Sequence, residues 1–264
     1  MLRIRFSVPA LSLILAFVFA GTPAAAQSVA SVVDNMKARY DKQIETVETY
    51  IVETNLYTSY NQKVMQDGQP TYKTQTKMKG EGTTSFASTT TPSTAYGLRF
   101  DRLKQHASYA GTETINGTRC HVLQIDDPSK VDPEMGAEAE SMTYYIDAEQ
   151  YVPARMVMQT KGSKGDGPEA SAVTINLTNY QTRDGLTLPH RMEMQFEMNM
   201  SEQQRQKMQQ LMQQMENMPE QQRKQMERMM GDQMKTMKQM MSGEPVVIEV
   251  QSVKVNTEIP SGIF

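Results

Sequence analysis

Residues 111–125 read GTETINGTRCHVLQI, and this stretch decides the fold. Asn116-Gly117 is a two-residue hairpin signal, because both central positions of the tight turn need positive φ. The residues around it, Gly111–Ile115 and Thr118–Ile125, carry the β-branched composition of strands. A tight hairpin can only join antiparallel neighbours. Outward from it, the same grammar repeats. Met142–Asp147 and Tyr151–Lys161 flank Ala148-Glu149-Gln150. Ala172–Thr182 and Leu186–Met200 flank Arg183-Asp184-Gly185. A final strand runs from about Val246 to Asn256.

Toward the N-terminus, short strands are predicted near 83–89, 95–100 and 105–115. Asp67-Gly68 is a second hairpin signal, with Thr71–Lys79 as its returning strand. From Thr46 to Lys63 the chain is rich in Val, Ile, Thr and Tyr, which is strand composition. Residues 127–140, with Pro128, Pro133, Gly136 and several acids, are predicted as a loop, as is the run through Gly162, Gly165, Gly167 and Pro168. Only residues 28–45 differ. There Val29, Val32, Val33, Met36 and Tyr40 recur at helical spacing. The sum is ten or eleven strands in one large, curved, antiparallel sheet of α+β class. Helices are expected only at the start and in one late insertion. No strand alternates with a helix, which argues against a Rossmann-type fold.

The insertion is 201–242. Residues 201–241 hold eleven Met and twelve Gln. Such unbranched residues favour helix. Met208, Leu211, Met212, Met215 and Met218 share one face, and Pro219 breaks or restarts the helix. Met226, Met229, Met230, Met234, Met237, Met240 and Met241 follow a similar spacing until Ser242-Gly243. The expectation is a helical hairpin or kinked helix. Its Met stripe has three competing uses. It could pack on the sheet or on itself. It could offer an adaptable surface to a lipid, a membrane or a partner protein. It could hold a soft metal such as Cu(I), with Met212, Met215 and Met218 or Met234, Met237 and Met240 at i+3 spacing.

Residues 1–26 read as a secretory signal peptide. Arg3 and Arg5 precede an apolar run from Phe6 to Ala20, and Ala24-Ala25-Ala26 is a small-residue cleavage site. Cleavage after Ala26 predicts an exported, periplasmic domain spanning 27–264. It removes two Arg and no acids, leaving 25 basic and 30 acidic residues and a net charge of −5. That balance gives no reason to expect nucleic-acid binding.

The chain has one Cys and three His. Neither an internal disulfide nor a Cys-cluster metal site is possible, and Cys120 is expected as a buried small hydrophobe. No G-x-S-x-G, H-E-x-x-H, Walker or G-x-G-x-x-G motif occurs. His106, His121 and His190 fall on three predicted strands. Asp126, Asp127, Asp132 and Glu134 lack calcium-loop spacing. The expectation is a protein without catalytic residues or cofactor.

The C-terminal half resembles a family. Tyr144-Tyr145-Ile146-Asp147 with Tyr151-Val152-Pro153-Ala154-Arg155 looks like a hairpin of the LolA/LolB-like class of periplasmic lipoprotein carriers. Asn179-Tyr180 through Asp184-Gly185-Leu186-Thr187-Leu188-Pro189 is similar to its next strand pair. Val253-Lys254-Val255-Asn256, Ile259-Pro260 and Phe264 resemble its last strand. Ile115–Leu123 also fits variants described as outer-membrane lipoprotein-sorting proteins. The resemblance covers about 110–264, with 201–241 as a departure from it. It implies an unclosed barrel with helices on its concave face, a cavity for a lipid or lipoprotein acyl chain, and no catalysis. Contact residues cannot be carried over from it. From the Met stripe alone, Met208, Leu211, Met212, Met215, Met226, Met229, Met230, Met234 and Met237 are expected to touch the ligand or cover it.

Overall fold

The computed structural model describes residues 28–66, 69–79, 85–88, 99–132, 139–161, 169–199, 206, 210 and 244–264. Residues 1–26, predicted as a signal peptide, and nearly all of the Met-rich insertion lie outside the described residues.

Helix α1 spans Val29–Thr46. Ser28 and Ser31 cap its start reciprocally, each side chain accepting from the other's backbone N–H at 3.2 Å. The β-branched run at Val47 onward then draws the chain into strands. These are β1 (Thr49–Thr54), β2 (Tyr57–Gln66), β3 (Gln69–Met78) and β4 (Ser85–Ser88). They continue as β5 (Ser108–Ile115), β6 (Thr118–Ile125), β7 (Ala139–Asp147), β8 (Pro153–Thr160), β9 (Glu169–Arg183), β10 (Leu186–Asn199) and β11 (Val246–Val255). All pairings are antiparallel, in one eleven-stranded order β4-β3-β2-β1-β11-β10-β9-β8-β7-β6-β5. With β4 and β5 at opposite ends, the sheet is unclosed.

Among the described strands β11 makes the one pairing between strands not consecutive in sequence, with β1, and acts as a corner. Its first half, Val246–Glu249, pairs with β10, and its second half, Val250–Val255, pairs with β1. Where β10 leaves β11, side chains replace the ladder. Arg183 Nη1 donates to the carbonyl of Val253 at 2.9 Å, and the N–H of Thr187 donates to Gln43 Oε1 at 3.1 Å. Asn55 seals the opposite edge of β11, bonding Val247 O at 3.0 Å and accepting from the N–H of Glu249 at 2.9 Å.

The sequence reading needs three corrections. The run from Thr46 to Lys63 is two strands, because Thr54 Oγ1 accepts the N–H groups of Leu56 and Tyr57 and turns the chain. Residues Phe100–His106 form helix α2, in place of the strand ends expected at 100 and 105. Phe100 and Leu103 are buried one turn apart, and Lys104 and His106 suit the helix C-terminus. Pro128–Val131 is a single helical turn, α3, with Pro near its start, inside the predicted loop. Helices are therefore not confined to the chain's start and the insertion.

The interior falls into three clusters. The first joins Val32, Val33 and Met36 of α1 to Phe100, Leu103, Leu123, Ile125, Met142, Tyr144 and Ile146. The second joins Ile44 to Val47, Tyr50, Val52, Tyr72, Leu186, Leu188 and Val253. The third is Leu177, Met192 and Ile248. Helix α1 thus lies across the sheet and stitches its two halves together.

Candidate functional site

Strand register shows which side chains share the face under α1. Tyr109, Leu123, Tyr144, Met156, Ile175, Met194 and Val246 are successive cross-strand partners over seven strands. Leu123 and Tyr144 at one end of this row pack against α1. Antiparallel partners share a face, so Met156, Ile175 and Met194 face the same side. The neighbouring row is Ile125, Met142, Met158, Val173 and Phe196. The opposite face carries Arg155 bonded to Asn176 at 2.7 Å and Arg191 paired with Glu193 and Glu249. Alternation along each strand therefore makes one face polar and the other apolar.

Along the apolar face, burial changes. Over β6 and β7 the side chains are covered by the three described helices. Over β8 to β10, Met156, Met158, Val173, Ile175, Met194 and Phe196 are only half-buried. The third cluster contains no residue of a described helix, and Leu56, Tyr57, Met156, Ile175, Tyr180 and Met194 rim it. Four methionines, Met142, Met156, Met158 and Met194, sit in these rows, and Met192 lies beside them in the third cluster. The Met excess therefore reaches onto the sheet itself. The sequence hid this because the five belong to β7, β8 and β10, which come to share one face only on folding.

Beyond β11 the same face turns polar. Tyr50, Asn61 and Thr74 are cross-strand partners. Ser59 and Asn61 are fully buried and Thr74 nearly so. Asn61 Nδ2 donates to the carbonyl of Tyr50 and to Ser59 Oγ, and Thr74 Oγ1 donates to Asn61 Oδ1 at 2.7 Å. Tyr72 stands edge-on to Tyr50, with ring centroids 4.9 Å apart, and donates its hydroxyl to Val47 O at 2.8 Å. Burial raises all these phenols: Tyr57 to about 12, Tyr50 and Tyr72 well above their usual range. They stay neutral at physiological pH and serve as hydrogen-bond donors.

The three histidines are far from forming a catalytic group. His106 ends α2 and is exposed. His121 lies on β6, its Nδ1 3.1 Å from Tyr109 Oη and its ring stacked on Tyr151. His190 lies on β10, near Arg183. Cys120 is buried, and desolvation raises its thiol to about 11, which makes it unreactive. Asp127 is tied to Ser129 and Lys130, and Asp132 is buried. Among the described residues no group of three His, Cys, Asp or Glu side chains could hold a metal ion. The nine contact residues expected from the Met stripe, Met208 through Met237, all lie outside the described residues.

Fold and face together define a class: an open antiparallel-sheet protein with a helix laid across a face that runs from apolar to polar. The chain is similar to a solved outer membrane lipoprotein-sorting protein domain from Vibrio parahaemolyticus, at 11% identity and a TM-score of 0.49, over 88% of this chain and 94% of that one. It is also similar to a DUF1329 family protein from Desulfovibrio piger, at 9% identity and a TM-score of 0.41, over 88% and 95%. No family model and no curated protein matches the sequence. Among the described residues no helix is long and apolar enough to cross a membrane.

Proposed function

We propose that this chain is an exported protein that binds an acyl chain, of a lipid or a lipoprotein, on the concave face over β8 to β11, without catalysing a reaction. The observation that carries this reading is the pair of unbroken cross-strand rows whose half-buried members, Met156, Met158, Ile175 and Met194, adjoin a cluster that no described helix covers. Flexible, polarisable Met side chains suit a ligand of irregular shape. Each methylene buried there would contribute about 0.8 kcal/mol. The Met residues of 201–242 are part of the proposal as further contacts, lining or covering the ligand. Cleavage after Ala26 would deliver the mature chain to the periplasm.

Two measurements test this. Native mass spectrometry of gently purified protein should show a co-purifying lipid. Affinity for acyl probes of increasing length should rise about three- to fourfold per methylene. Met156→Glu or Met194→Glu should abolish uptake while leaving the circular dichroism spectrum unchanged. Absence of both lipid and probe binding sinks the reading. Tight Cu(I) binding that is lost on deleting 201–242 would favour the soft-metal alternative instead.

A further inference from the structure

Three buried side-chain atoms among the described residues have no hydrogen-bond partner: Arg39 Nε, Gln43 Nε2 and Tyr50 Oη. All three are donors. The Gln43 assignment is secure on chemical grounds, since its other terminal atom accepts the N–H of Thr187 and must be the oxygen. Buried donors are normally satisfied, and each that is not asks for an explanation.

Arg39 and Gln43 are one turn apart on α1 and share one side of it. Gln43 precedes Ile44, and its Thr187 contact lies between Leu186 and Leu188. Ile44, Leu186 and Leu188 all pack with Tyr50 in one cluster. Tyr50 is fully buried, and its phenol lies within the electrostatic reach of Tyr72, Tyr40 and Tyr57. Tyr57 also rims the apolar third cluster. Tyr57 is thus common to the third cluster and to the surroundings of Tyr50. Each of the three lacks an acceptor for its proton.

We infer that the ligand's acyl chain ends in an oxygen-bearing head, a carboxylate or an ester, whose oxygens accept from Tyr50 Oη, Gln43 Nε2 and Arg39 Nε. This inference rests on the acyl-binding reading above and narrows its ligand class. Apolar surface alone would take a plain hydrocarbon equally well; the three donors would discriminate against it.

The test uses the mature chain and three ligands of one chain length: a free fatty acid, its methyl ester and the alkane, each displacing a fluorescent acyl probe. Tyr50→Phe keeps the ring and removes the hydroxyl. It should weaken acid and ester by about three- to tenfold and leave the alkane within about twofold. Gln43→Glu keeps the oxygen that Thr187 needs and replaces the amide NH2 by an acceptor; it should weaken the acid most. Arg39→Gln, at a half-buried position, separates the two heads. Greater loss for the acid identifies a carboxylate, and equal loss an ester. If Tyr50→Phe moves all three ligands alike, or none, and the other two variants do the same, the donors serve the protein alone and the inference falls while acyl binding stands. If the native protein displaces probe with none of the three, both readings fall.

Discussion

At the residue scale, two turns of the same geometry provide an internal control. Asn116-Gly117 and Asp184-Gly185 both run φ near +50° and then near +85°. This is the hairpin turn that matches strand twist. Gly117 has open space where a Cβ would be, whereas a Cβ on Gly185 would meet Thr46 Oγ1 at 2.6 Å. Gly117→Ala should cost about 1 kcal/mol of backbone strain, and Gly185→Ala about 1–3 kcal/mol. Urea denaturation of the two variants measures the difference, and equal costs would show that the α1–hairpin contact is soft. The histidines supply a pH prediction. Burial first, then Arg119, lowers His121 below 6.5, against an opposing pull from Asp147; burial and Arg183 lower His190. Their folded-state proton affinity is below that of the unfolded chain. Stability from both is therefore fully present above about pH 6.5 and declines as pH falls below it. Thermal melts at pH 7 and 5 should separate less for His121→Gln with His190→Gln than for the native chain.

At the scale of elements, α1 and β11 hold the molecule together. Met36 is fully buried in the first cluster, in the helix that also reaches the second through Ile44. Met36→Ala should cost about 2–5 kcal/mol, by lost transfer energy plus the cavity left behind. A cost under about 1 kcal/mol would mean that α1 docks loosely. Strand β11 is held by its own ladders to β10 and β1. Arg191–Met194 and Val246–Glu249 are already hydrogen-bonded neighbours. Replacing 201–242 by a short Gly-Ser linker should leave cooperative unfolding intact, with the melting temperature within about 5 °C, as expected for a change of about 1 kcal/mol or less. A collapsed melting temperature would assign the Met-rich segment to the core.

At the scale of the whole molecule, the two halves of the sheet present different chemistry on one face, with β11 as the seam. The apolar rows lie on β5 to β11, and the buried polar side chains Ser59, Asn61 and Thr74 on β2 and β3. An amphiphile fits such a gradient better than a purely apolar or purely polar ligand would. The sequence alone determined the local structure: the first helix, the hairpins at Asn116-Gly117 and Asp184-Gly185, the antiparallel class and the near-complete strand count. These follow from side-chain periodicity and turn conformation, which act over a few residues. It did not reveal α2, too short for its two apolar residues to make a periodic signal. Nor did it reveal the division of Thr46–Lys63, set by one hydroxyl. Tertiary structure alone decided the candidate site. Met156, Ile175 and Met194 share a row, and Arg39, Gln43 and Tyr50 share a lack of acceptors, only through strand register and helix docking. Those depend on contacts between residues far apart in the chain, which no local pattern encodes.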